Sequence, residues 1–232
     1  MPLYTSLVPD NKYDTVFEQT FLPVNLHIAL RPLSLPDDWP FIGKWLQYAF
    51  GRRFSSITHL PDKYLRETLA IMLQCDFAQP FVGLINEQPA FLVELCDGDK
   101  QCDTLEGGAH LFESGDHVMR LILSHAVIHT RYWSEAALFS SLAYFFTHQQ
   151  VKRVVWQLHE KDTFYINLAN QSGITYRKPK SADFDYASFD SARSFGSARS
   201  FGSAQDVQVY LYLRENFTRF LAMYQRTMQK LP

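Results

Sequence analysis

The chain has 232 residues, 47% of them hydrophobic, enough to bury a sizeable core in one large domain. Its 22 basic and 24 acidic residues give a formal charge of -2, which provides no polybasic footprint for nucleic acid or an anionic membrane surface and points to small-molecule or protein partners. Cys75, Cys96 and Cys102 make neither a disulfide framework nor paired metal-ligand spacing, and neither a signal-type N-terminus nor an apolar stretch of about 18 residues is present, so a soluble, cytoplasmic protein is expected.

Residues 1–25 scatter apolar groups among Pro2, Pro9 and Pro23 without a sustained period and read as an arm packed on the main body. Leu26 to Leu33 reads as a strand. Leu35-Pro36-Asp37-Asp38 has the proline and acids of a helix start, followed by Trp39, Phe41, Ile42, Trp45 and Leu46 at helical spacing. Asp62 to Leu73 is a second helix, with Tyr64, Leu65, Leu69 and Met72 on one face. Phe81 to Ile85 and Pro89 to Leu95 flank the polar turn Asn86-Glu87-Gln88, a hairpin in which Asn tolerates positive φ.

After a loop over 99–114, Val118 to Val127 reads as a central strand and Ser134 to Phe146, apolar almost all round, as a buried helix. Val151 to Leu158 is a strand and Asp162 to Gln171 a short helix that Gly173 stops. Val207 to Leu213 alternates as a last strand. Phe217, Phe220, Leu221, Tyr224, Met228 and Leu231 form the stripe of a terminal helix. Before that strand, SARSFG at 191–196 recurs unchanged at 197–202, inside a Ser-, Ala- and Asp-rich insert spanning about 181–206. Its composition reads as a loop; a lid offering Arg193 and Arg199 to an anion is the functional alternative.

The order strand, helix, helix, hairpin, long strand, turn, helix, strand, helix, strand resembles the GNAT acetyltransferase fold. Leu30-Arg31-Pro32-Leu33-Ser34-Leu35-Pro36-Asp37-Asp38, Pro80-Phe81-Val82-Gly83, Phe91-Leu92-Val93-Glu94-Leu95, Gly115-Asp116 and the ungapped run from Arg153 to Gly173 are similar to the siderophore-biosynthesis acyltransferases, over roughly residues 26–215. The resemblance implies an α/β (α+β) domain over 26–232 with a mixed, mostly antiparallel sheet flanked by helices. It also implies transfer of an acetyl or other short acyl group from acyl-CoA (acetyl-CoA or succinyl-CoA) to a small amine or N-hydroxylated amine acceptor, with neither nucleic acid nor membrane as partner.

By the same resemblance, Arg131-Tyr132-Trp133-Ser134-Glu135-Ala136 is the turn that meets the pyrophosphate, where helix-terminus amides and dipole bind an anion. Ser134 stands where the fold's loop has its middle glycine, adding a Cβ that restricts close approach or positive φ. Arg120 replaces the histidine of the siderophore group's Gly-Asp-x-x-x-His pattern, and His159 replaces the acid after its last strand. A guanidinium is not a base near neutral pH; it can fork onto a carboxylate of substrate or onto a structural partner, whereas His159 is a candidate base. Tyr165 lies near the fold's thiol-protonating tyrosine, with core packing as its alternative. These substitutions leave a second reading open, a GNAT-like binding or scaffold protein without turnover.

His125 and His129 are four apart, but a strand reading there does not place them on a common helical face and no third ligand has motif spacing, so no metal is expected. No GxSxG elbow or Ser-His-Asp order is present, which disfavours a hydrolase.

Overall fold

The computed structural model describes residues 14–53, 61–98, 115–130, 132–172, 175–177 and 207–228. Its strands are β1 (Phe17–Phe21), β2 (Leu26–Pro32), β3 (Ala78–Ile85), β4 (Gln88–Asp97), β5 (Asp116–Leu123), β6 (Arg153–His159), β7 (Thr175–Arg177) and β8 (Val207–Leu213). Its helices are α1 (Leu35–Arg53), α2 (Asp62–Gln74), α3 (His125–His129), α4 (Trp133–Thr147), α5 (Thr163–Gln171) and α6 (Arg214–Met228). The strands form one sheet in the order β1-β2-β3-β4-β5-β6-β8-β7, and β5 with β6 is its parallel pair among antiparallel neighbours. Part of the stretch read as an arm is thus the edge strand β1, whose Phe17 and Phe21 pair with Leu30 and Leu26.

Alternation sorts the strand residues onto two faces. Leu30, Phe81, Phe91, Val93, Leu121, Trp156 and Tyr210 pack with Ala137, Leu138, Leu142 and Phe145 of α4. On the opposite face, Val82, Leu92, Cys96 and Val118 meet Ile42 and Leu46 of α1 and Leu65 and Leu69 of α2. Fully burying such a side chain stabilises by about 1.5–3 kcal/mol each. Gly83 is required by this packing: a Cβ there would lie 2.1 Å from the Phe91 ring opposite it.

Local chemistry sets the boundaries. The start of α1 is capped where the Asp37 and Asp38 amides reach the Ser34 carbonyl, while Asp38 accepts from the Ser34 amide and from both terminal nitrogens of Arg31. The hairpin turn has Asn86 at φ 48 and Glu87 at φ 67, the two left-handed residues of a type I′ connection, as its asparagine suggests. The predicted strand Val118 to Val127 instead ends at Leu123. Ser124, extended at φ -64 and ψ 159, accepts the Val127 amide on its Oγ and caps α3. At the far end of the chain, α6 lies along α4, with Phe217 on Phe146 and Tyr224 on Phe139. Arg214 fastens this layer, its guanidinium donating to the carbonyl of Phe146 in the last turn of α4 and to those of His148 and Val151 beyond it.

The insert at 181–206, Gly173 and Arg131 lie outside the described residues. Among the described residues, no helix is long and apolar enough to cross a membrane.

Candidate functional site

The parallel strands β5 and β6 part. Pairing runs from Asp116 opposite Arg153 to Met119 opposite Trp156 and stops there, although β5 continues to Leu123 and β6 to His159. The paired end is pinned by a buried fork, in which Arg153 Nε donates to Asp116 Oδ1 at 2.7 Å and its Nη2 to Oδ2. Beyond Met119 and Trp156 the sheet has a wedge-shaped gap with backbone on both sides.

Tyr165 projects from α5 into that gap. Its hydroxyl oxygen accepts the Leu123 amide at 3.0 Å. The next amide, Ser124, reaches the Ala90 carbonyl on β4, so Leu123, alternating with it, points to the β6 edge where the strands have parted. The Tyr165 ring also stands edge-on to Trp156, with centroids 5.9 Å apart. Core packing and a polar position at the gap are therefore both realised.

β5 leads from its parted end through α3 into the start of α4. The first α-helical bond there runs from the Ala136 amide to the Tyr132 carbonyl at 3.0 Å, which places the amides of Ser134 and Glu135 in the helix's first turn. Tyr132 is the left-handed residue, at φ 67, and Ser134 is helical. The backbone cost expected at the lost glycine thus falls two residues earlier. Ser134 is buried and its Oγ donates to Glu135 Oε2 at 3.1 Å, so an acid sits in the turn that would meet an anion. Glu135 also faces α6, where burial first, and then Glu135 and Tyr132, push the Tyr224 phenol up. Trp133 and Ala136 pack into the core.

On the α1 and α2 face, Arg120 and His159 occupy strand positions past the parting. Arg120 stands opposite Glu94 of β4, with Nη1 3.5 Å from Oε2; Glu94 is buried, which raises its carboxyl above the ordinary range while Arg120 lowers it in part. His159 is 5% exposed at the end of β6, and its Nδ1 accepts the Lys161 amide at 3.1 Å. That bond fixes the neutral ring as the Nε2–H tautomer, so His159 accepts a proton only when the Lys161 amide lets go.

Three site features escaped the sequence reading. Glu94 is a lone charge in the apolar run Phe91 to Leu95, a signal that was legible. Gln157, one residue past the last pair on β6, carries a buried Nε2 without a hydrogen-bond partner among the described residues. The Leu123 amide is backbone and leaves no trace in sequence. The strand reading at His125 and His129 is corrected to the helix α3, where their ring centroids lie 4.2 Å apart. No group of three metal-ligating side chains occurs among the described residues. Burial pushes the Cys96 thiol up to about 12, which removes it as a nucleophile.

No protein-family model matches the chain, and no curated protein does. Solved structures do. An uncharacterized protein from Bacillus halodurans superposes with a TM-score of 0.70 at 14% identity, covering 94% of this chain and 100% of that one. Spermidine N-acetyltransferase from Vibrio cholerae, in complex with CoA and spermine, gives 0.57 at 14% identity over 82% of this chain and 98% of its own. An aminoglycoside acetyltransferase in complex with coenzyme A gives 0.62 at 11% identity over 83% and 98%. The chain has the GNAT fold, a single α/β arrangement of a mostly antiparallel sheet flanked by helices.

Proposed function

We propose that this protein is an acyl-CoA-dependent N-acyltransferase that moves an acetyl or other short acyl group to a small amine or N-hydroxylated amine acceptor, in siderophore assembly. The observation that carries the reading is the parting of β5 from β6, with the Tyr165 hydroxyl and the Leu123 amide bonded to each other beyond the last pair. Neighbours of the same fold hold coenzyme A, and among them are enzymes for spermidine and aminoglycosides, both amines. The siderophore assignment rests on the sequence resemblance over residues 26–215.

In this reading the turn Arg131 to Ala136, leading into α4, meets the diphosphate through its amides, and Arg120 contacts substrate. Attack by the amine nitrogen forms the new N–C bond as the C–S bond breaks. Tyr165 delivers its phenolic proton to the departing thiolate, and His159 takes the proton released by the amine at Nδ1 as the Lys161 amide is displaced. Backbone donors at the gap stabilise the carbonyl oxygen as it becomes anionic.

One observation favours the second reading, a GNAT-like binding protein without turnover. The acid Glu135 accepts from Ser134 in the turn where an anion would be gripped. Calorimetry with acetyl-CoA and succinyl-CoA separates the two. Heat with either supports the acyltransferase; silence with both at millimolar ligand sinks it.

A further inference from the structure

Arg31, Arg120 and Arg153 are strand arginines on the α1 and α2 face of the sheet, and two of these three are committed. Arg31 forks onto Asp38 at 2.8 and 2.6 Å, and Arg153 forks onto Asp116. Arg120 is held differently. Its contact among the described residues is the single 3.5 Å approach to Glu94 Oε2, which qualifies as an ion pair but not as a hydrogen bond, and Oε2 has no other partner. The guanidinium, with five N–H donors and 32% of the side chain exposed, is charged and anchored at one corner.

Across the gap stands a second uncommitted donor. Extending the β5 to β6 register by one residue would set Gln157 opposite Arg120, and alternation puts both on the face that carries Val118 and Val155. Gln157 Nε2 is buried and has no hydrogen-bond partner among the described residues. Native proteins pair nearly all such atoms, and an exception beside a gap in a sheet marks where a ligand atom belongs.

We propose that Arg120 and Gln157, with Glu94 behind them as a positioning residue, form a subsite for a carboxylate carried by one of the two reactants. The chemistry follows from the groups. Donors approach from both sides of the gap, planar and fork-shaped on one side and an amide NH2 on the other, which matches two carboxylate oxygens. A cationic group would meet Arg120 head-on, and a lone hydroxyl would leave most of the fork unused. Glu94 holds the guanidinium at one corner. Its burial raises its proton affinity, which softens repulsion between it and a bound carboxylate.

This deepens the acyl-transfer reading and rests on it only for which reactant brings the carboxylate. The test is calorimetry on the full chain with two matched pairs, succinyl-CoA against acetyl-CoA, and lysine against cadaverine with and without coenzyme A. The carboxylate-bearing member of one pair should bind about tenfold to a hundredfold more tightly, the range of charge-assisted hydrogen bonds. A gain in the first pair assigns the carboxylate to the acyl donor, and in the second to the acceptor. Gln157→Leu keeps the ion pair and should remove about threefold to tenfold of the gain. Glu94→Gln combined with Arg120→Met, which leaves no buried charge behind, should abolish it. If coenzyme A binds but neither pair differs by more than about twofold, or the gain survives both variants, the subsite is overturned and acyl transfer stands. If coenzyme A fails to bind while lysine still outbinds cadaverine, acyl transfer fails and the subsite stands.

Discussion

Asp116 and Arg153 face each other in register at the closed end of the parted strands, both nearly buried, the guanidinium forked onto the carboxylate. The pair pins the end of the parallel pairing farthest from where the strands part. Asp116→Ala strands a buried guanidinium, and the expected cost is about 3–5 kcal/mol in chemical denaturation. Replacing both partners, Asp116→Leu with Arg153→Met, should recover most of that loss, because an apolar pair escapes the desolvation penalty. A double variant as unstable as the single one would contradict this account.

Tyr165→Phe removes the hydroxyl and keeps the ring against Trp156. Stability should fall by about 1 kcal/mol, since the Leu123 amide loses its acceptor. Turnover should fall by about a hundredfold or more while coenzyme A affinity changes by less than about threefold, the pattern of a group used in the reaction and not in binding. Equal losses in both would reassign Tyr165 to binding.

Glu135 opposes an anion at the start of α4. Glu135→Gln should tighten coenzyme A by about twofold to fivefold at low ionic strength, with the effect shrinking as salt is added. Ser134→Gly relieves no strain, because Ser134 is already helical, so it should lower the melting temperature without a gain in affinity. Tighter binding in Ser134→Gly would show that the lost glycine was the limiting defect.

His148 reports on the other end of α4. Its imidazole is held below the usual range by burial first, then by Arg214 and His117. The fold therefore favours the neutral ring, and the unfolded chain binds the proton more readily. Stability from this group is complete above the ordinary histidine value of about 6.5 and is lost as pH falls through the depressed one. Melting temperatures from about pH 7.5 down to about pH 5 should drop less steeply in His148→Asn than in the parent, and parallel slopes would remove His148 as a cause.

The alternating strands, the Asn86 hairpin and the amphipathic helices were legible in sequence because each is a local pattern of period 2 or 3.6. Helix α3 was hidden because the alternation of β5 continues through Val127, and only the capping bond at Ser124 decides where the strand stops. The wedge was invisible, since where two parallel strands separate is a matter of register and not of composition. Arg120 and Tyr165 were found through resemblance, while Glu94 and Gln157 acquire meaning only when the strands that carry them are set side by side. Ser134 shows the converse: its identity suggested backbone strain, and the chain puts the left-handed turn on Tyr132 instead.

Trp156 occupies the last paired position of β6, 2% exposed and edge-on to Tyr165. An indole fixed beside the gap gives the protein an intrinsic optical probe of its own site. Anything that enters between the strands changes the polarity and ring contacts around that chromophore and so its emission, with Trp156→Phe as the blank that subtracts the other three tryptophans. Candidate donors and acceptors can thus be ranked by fluorescence titration before any turnover has been detected.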